Sequence, residues 1–395
     1  MGYINLDHIN FKHLVPEASQ AMIDAVKAEY GNPSSQHQKG DEAREVLESS
    51  RETVARLINA KDPREIVFTS CGTESVNMAV KGLAWARQDK GKHIVTCNTE
   101  HNAVIRSLRR LKQLGFQVTS VPVDKYGVVN PQTVKKAIRE STTLVSIMHA
   151  NNEIGTLHPI GEIAKVCREA GVAYHCDAVD SVGTLPIDVE ELGIDLLSFA
   201  SNPFYGPKGV GALYIRRGIG LWNLLDGGAQ ENRKRAGTEN LVGIVGMAAA
   251  AKVAMRDMEK RLEHYKNLRR HFLAQLPKYL EDYLINGHPE QCLPNHISLS
   301  VRHVEGESIV LMLDEQGFAV STRSACASGS LRASHVLLST GLSFADAQGT
   351  LVISFGVDTT TQIIDSFLAA LAESVKTLRA ISPLYAAAQK EKAGK

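Results

Sequence analysis

Asp195-Leu-Leu-Ser-Phe-Ala-Ser-Asn-Pro-Phe-Tyr-Gly-Pro-Lys-Gly-Val-Gly-Ala-Leu-Tyr-Ile215 reads as a buried strand over 196–200, a polar turn, a Gly-Pro-Lys-Gly loop and a second apolar strand over 212–215. Such a unit sets side chains at the edge of a parallel sheet, where ligands of open α/β sheets bind. Working outward, apolar runs at 66–69, 94–96, 118–123, 144–148 and 172–176 predict further strands. Amphipathic stretches near 74–88, 102–114, 131–139 and 160–170 predict the helices between them. The alternation implies an α/β fold with a mainly parallel sheet faced by helices.

On the N-terminal side, Pro16 opens a helix expected to run to about residue 30, and apolar residues recur at helical spacing over 44–58. On the C-terminal side, a helix over 240–276 leaves the sheet and is expected to stop at Pro277. The pattern beyond it (a strand at 297–301, a helix at 305–315, a strand at 351–355, a helix at 360–379) suits a small α+β domain. The expected organisation is a large domain over 16–260 and a small one built from 1–15 and 261–395, with residues 389–395 as a frayed charged tail.

Lys plus Arg number 44 against 43 Asp plus Glu, a net charge of +1. With no long run of one sign, neither nucleic acid nor a membrane surface is an expected partner. Cys167 and Cys176, the nearest pair of the six cysteines, are nine positions apart, which excludes a CxxC site and suits reduced thiols in a cytoplasm. The start of the chain has no signal-like pattern, and no apolar run approaches the ~18 residues of a membrane span.

Several strand ends carry polar groups. Ser70-Cys71-Gly72-Thr73-Glu74 follows a strand and opens a helix, which suits either a phosphate or a simple N-cap. His101, in Thr99-Glu100-His101-Asn102, sits at the next such junction. Asn152 follows the 144–148 strand, and Asp177 and Asp180 follow the next one, where a carboxylate can be a turn former or a site acid. Arg233, Lys234 and Arg235 make a basic loop ending at Thr238, which reads as a solvated cluster or an anion site. Cys326, in Ser321-Thr-Arg-Ser-Ala-Cys326-Ala-Ser-Gly-Ser330, lies among small residues that leave a thiol accessible, and Arg323 favours its thiolate. No metal ligands are assigned.

These motifs, in order from about residue 3 to 380, resemble those of the NifS/IscS cysteine desulfurases in the fold-type I pyridoxal-phosphate (PLP) superfamily. The matching segments include GNPSS at 31–35, TEH at 99–101, YGPKG at 205–209 and STRSAC at 321–326. The resemblance implies a transferase-like large domain, a homodimer, L-cysteine as substrate, sulfur transfer and iron–sulfur cluster assembly, with a scaffold or sulfur-acceptor protein as partner. It also implies roles: Gly72 and Thr73 on the PLP phosphate, His101 stacked on the ring, Asn152 beside the cofactor, Asp177 on the pyridine nitrogen. Thr238 would reach a phosphate across the dimer interface, and Cys326 would carry a persulfide or ligate a cluster.

The chain departs from the family pattern where the chemistry is concentrated. The family's Ser-x-His-Lys reads Ala200, Ser201, Asn202 and Pro203, so no amine stands where the cofactor lysine belongs. Both arginines of RxSLGR are valine, Val352 and Val357. Asp180 replaces a glutamine near the ring hydroxyl, and the N-terminal Ala-Thr-Thr becomes Asn10-Phe11-Lys12. Two further readings therefore stand beside a divergent desulfurase: a non-catalytic sulfur or iron–sulfur assembly partner, and an enzyme using PLP or its aminated form on another substrate. Lys12 reads either as a solvated surface residue or as an ammonium entering the crevice.

Overall fold

The computed structural model describes residues 3–322 and 333–393. After β1 (Ile4–Asn5), α1 (Pro16–Lys27) and α2 (Gln38–Leu57), the chain builds a seven-stranded sheet from β2 (Ile66–Thr69), β3 (His93–Cys97), β4 (Gln117–Val121), β5 (Thr142–Ser146), β6 (Ala173–Asp177), β7 (Leu196–Ala200) and β8 (Gly211–Ile215). The order is β2-β8-β7-β6-β5-β3-β4. Only β8 runs against the rest, because the short Pro203–Gly209 connection returns the chain directly from β7 and has no crossover helix. β5, β6, β7 and β8 are buried along their whole length, as helices on both faces require.

The crossovers are α3 (Gly72–Ala86), α4 (Asn102–Gln113), α5 (Pro131–Ala137), α6 (Ile160–Glu169) and the single turn α7 (Val189–Leu192). Two boundaries differ from expectation. α1 stops at Lys27, and α2 begins six residues early because His37 accepts from Gly40 N at 3.2 Å and caps it.

A turn, α8 (Gln230–Arg233), leads into α9 (Leu241–Gln275). Ile244 to Ala254 of α9 pack into the core of the large sheet, whereas Tyr265, Leu268 and Phe272 belong to a second core. That second core lies on the sheet of β9 (Tyr283–Asn286), β10 (His296–Val301) and β12 (Thr350–Ser354), with α10 (Gly306–Glu315) and the helix Thr361–Ile381. β1 pairs in parallel with β11 (Phe318–Ala319), and Leu6 is part of this core. The expected frayed tail is instead helical over Pro383–Ala393. Among the described residues, no helix is long and apolar enough to cross a membrane.

Candidate functional site

β2, β3 and β6 end on the same edge of the sheet, and the segments leaving them converge on a cavity of about 210 Å³. Its walls include Gly72, Thr73, His101, Asp177, Asp180 and Asn202. Gly72, Thr73, His101, Asp177 and Asp180, all singled out from sequence, therefore meet in space, although they span 72 to 180 in the chain.

One end of the cavity is the start of α3. Cys71 occupies the N-cap and its side chain makes no capping hydrogen bond to the first turn, so the helix opens with its positive end toward the cavity. A Cβ on Gly72 would stand 2.5 Å from Val179 Cγ2, so glycine is what lets the β6 exit pack over this helix start. Glu74 ties the same turn down: its Oε2 accepts from Ser70 N at 2.7 Å and its Oε1 from Arg235 Nε at 2.8 Å.

Asp177, the last residue of β6, supplies a buried carboxylate. Burial pushes it up to about 6, opposed by His101 and by the Val179 N–H that it accepts at 3.1 Å, and assisted by Asp180. His101 caps α4 by accepting from Ala103 N at Nδ1, 3.1 Å away, which leaves the ring proton on Nε2. Behind them, burial raises Glu100 to about 8, where it accepts from Met148 N at 2.8 Å.

The other expected site residues are placed differently. Asn152 is buried after β5 but is not among the residues lining this cavity. Thr238 is exposed, accepts from Asn32 Nδ2 at 3.4 Å and does not line the cavity of its own chain. Cys326 and Arg323 lie outside the described residues. Among the described residues no group of His, Cys, Asp and Glu side chains is placed to hold a metal ion.

Pro203 sits in a 3₁₀ turn, Asn202–Phe204, directly after β7. Among the described residues, no lysine lines the 210 Å³ cavity. Beside it, a closed cavity of about 10 Å³ is bounded by Lys12, Asp180, Pro203, His296 and Ser354. Lys12 is not the solvated residue that its context in the sequence suggests: it is half-buried, its ammonium donates to the Pro203 carbonyl, and it lies 4.8 Å from the Tyr205 ring centre. Val352 is fully buried on β12. Leu351, Ile353 and Phe355 point into the second core, so alternation turns Val352 to the face shared with Ser354, toward the crevice.

The donor set suits PLP at three of its four recognition points. The start of α3 at Gly72 and Thr73 would hold a phosphate, the His101 ring would lie against the pyridine, and the buried Asp177 carboxylate would suit a protonated pyridine nitrogen. The fourth point, the aldehyde, finds no amine at position 203, where Pro203 stands.

The buried acids and histidines set a pH profile for stability. Burial pushes His149 down to about 4 and His158 and His175 down to about 3, and His8 and His93 shift in the same direction. An unfolded histidine binds its proton near pH 6.5, so below that pH the unfolded chain takes up protons that the native one refuses, and stability falls with pH. Glu100 and Asp177 act oppositely: the folded chain keeps protons that the unfolded chain has released, so their contribution is lost as pH rises from about 4.5 through 8 for Glu100. The melting temperature is expected to fall as pH drops below about 6.5 in a thermal-shift series, whereas above pH 7 the loss from Glu100 is offset by Lys12, whose amine is pushed down to about 7 and so holds its proton there mainly in the unfolded chain. A maximum at pH 5 would contradict the burial of the histidines.

The aminotransferase class-V family model matches residues 12–367. The chain is 47% identical over 380 residues to cysteine desulfurase IscS of Dictyoglomus turgidum, covering 96% of each, and 45% identical to the IscS of Methanosarcina thermophila, covering 93% of this chain and 91% of that one. Among solved structures, a NifS-like protein superposes with a TM-score of 0.89 at 35% identity, covering 95% of this chain and all of the other. Class-V aminotransferases and these desulfurases depend on PLP. With the cavity at the strand ends and likeness along nearly its whole length, the chain belongs to the IscS/NifS cysteine desulfurases of the aminotransferase class-V family.

Proposed function

We propose that this protein is a divergent cysteine desulfurase that takes sulfur from L-cysteine and passes it from Cys326 to an acceptor protein in iron–sulfur cluster assembly. The observation that carries this reading is the convergence of Gly72, Thr73, His101 and Asp177 on one cavity at the ends of the sheet strands. Bound there, PLP supplies an electron sink for bond breaking at an amino acid. The start of α3 at Gly72 and Thr73 holds the phosphate, His101 covers the ring, and Asp177 keeps a proton on the ring nitrogen. The Cys326 thiolate accepts the sulfur, and cysteine less its sulfur leaves as alanine. Thr238, exposed and apart from its own chain's cavity, completes the phosphate site of a second copy in a homodimer.

The test is sulfide release from L-cysteine in the presence of a reducing thiol, after loading the protein with PLP. Wild type is expected to turn over, and Cys326→Ala is expected to lose at least ~100-fold in sulfur delivery to an acceptor while keeping PLP. A Cys326→Ala protein that delivers sulfur at the wild-type rate would overturn the assignment. Val352 on the crevice face favours the non-catalytic reading, since it removes the charge that would hold a substrate carboxylate. PLP binding with no sulfide from cysteine, together with acceptor docking, is the result that would select it.

A further inference from the structure

We propose that Lys12, carried on the N-terminal segment, supplies the primary amine that position 203 lacks, and that it links PLP through the cofactor's aldehyde carbon. The inference rests on the PLP reading above and adds the residue that anchors the group.

The N-terminal segment bridges the two cores at this place. Ile9 N donates to Ser354 Oγ at 2.9 Å, Asn10 Nδ2 to Ser321 Oγ at 3.2 Å, and Val15 N to the Tyr205 carbonyl at 3.0 Å. Lys12 is thereby fixed at both ends of a short span, over the turn that follows β7. Its ammonium donates to the carbonyl of Pro203, the position at which the resemblance places the family's lysine. Asp180 lines both the small cavity of Lys12 and the 210 Å³ cavity, and the Asn202–Pro203 peptide divides them, with one residue on each side. Entry of the amine into the larger cavity would require it to release the Pro203 carbonyl and pass Asp180, the residue common to both linings.

The surroundings suit a nucleophile. Although the residue as a whole is half-buried, its amine lies among protein atoms, and this desolvation pushes it down to about 7; Arg261 acts in the same direction and Asp180 against. Arg261 also covers the Tyr205 ring, 5.2 Å away, while Lys12 lies 4.8 Å from the same ring centre. A substantial fraction of the amine is therefore neutral at neutral pH, with its lone pair free to react. Lys208, the nearest lysine in the β7–β8 loop, is exposed and lies over Phe11.

In the linking step the Lys12 nitrogen lone pair attacks the aldehyde carbon, and the carbonyl π electrons move to oxygen. A carbon–nitrogen double bond replaces the carbon–oxygen one, and the oxygen leaves as water with the two protons shed by nitrogen. No oxidant or reductant takes part.

The test uses the full-length protein incubated with PLP, freed of excess cofactor, reduced with borohydride, digested and mapped by mass spectrometry. The reduced phosphopyridoxyl group is expected on the peptide carrying Lys12. Lys12→Arg keeps the charge beside Asp180 but cannot form the bond, so it is expected to lose the adduct and to retain PLP at least ~tenfold more weakly. PLP retained with the adduct on Lys208, or with no adduct, would overturn the role of Lys12 and leave PLP binding intact. No PLP retained by the wild-type protein would overturn both readings. The wild-type mapping decides the matter even if the variant fails to fold.

Discussion

Replacing Glu231 with alanine is expected to cost ~3–5 kcal/mol of folding stability, because it leaves the buried Arg51 guanidinium with only the exposed Glu48 carboxylate, 3.2 Å from its Nε, as an acidic partner. Arg51 and Glu231 are both almost wholly buried, and their side chains meet as a two-pronged pair at 2.6 and 2.8 Å. Glu231 Oε2 also accepts from Phe68 N at 2.7 Å, and Arg51 donates to the Ile66 carbonyl at 2.9 Å, so the pair is stitched to β2. To bring Glu231 inward the chain adopts left-handed angles at three successive residues, with φ of 49° at Glu231, 55° at Asn232 and 64° at Arg233. Such a run of non-glycine residues persists only where its surroundings compel it. The expected readout is a lower urea midpoint with an unchanged slope. Arg51→Met with Glu231→Met should recover part of the loss, since the uncompensated charge is gone. Recovery stays incomplete because Phe68 N–H and the Ile66 carbonyl keep no partner, at ~1–3 kcal/mol for each buried group. A single variant within ~1 kcal/mol of wild type would show that the pair does not hold this loop. The consequence reaches the site: Arg235, four residues on, holds Glu74 at the start of α3, so the Glu231 variant should also bind PLP more weakly.

That pair marks where the sequence stops being readable. The alternation of strands and helices is local, so the sheet, its helices and the strand-end position of Asp177 follow from periodicity. His101 and Thr73 follow for the same reason, each lying four residues past the end of a buried strand, at the junction with a helix. The run Arg233-Lys234-Arg235 reads as a solvated basic cluster, yet its anchor is an acid: Glu231 reaches Arg51, 180 positions earlier in the chain, and no local pattern encodes that meeting. Cys71 and Asn202, which also line the cavity, carry no independent signal, since a cysteine before a helix and an asparagine after a strand are ordinary turn residues. Lys12 is the sharpest case. Seven residues before it β1 pairs with β11 beside the second core, and three residues after it Val15 bonds to Tyr205 in the β7–β8 connection of the large sheet, so its placement depends on how the two cores dock.

Moving the amine back to the loop should reveal whether positions 12 and 203 share one task. Pro203→Lys alone is expected to destabilise the fold: it crowds a second ammonium against Lys12 in a cavity of about 10 Å³ and gives up the stiffness of a proline in a 3₁₀ turn. Lys12→Thr alone removes the positive charge beside Asp180 and, with it, the borohydride-trapped cofactor. The double variant relieves the crowding and returns an amine to the β7–β8 loop. It should therefore be more stable than the sum of the single changes by ~1–3 kcal/mol, read from urea unfolding of the four proteins. The trapped group should move to position 203. Strict additivity with no label at 203 would mean that the two side chains do not face the same space. Val352→Arg in the double variant supplies the remaining lost charge: position 352 lies on the same face of β12 as Ser354, which borders the small cavity that Lys12→Thr enlarges. A carboxylate gripped by that guanidinium gains ~1.5–3 kcal/mol, so kcat/KM for cysteine should rise about ten- to a hundredfold over the double variant. A gain carried wholly by a lower KM would mean that the arginine holds substrate and transition state equally, whereas no change in either constant would mean that cysteine approaches the cavity from a side that β12 does not border.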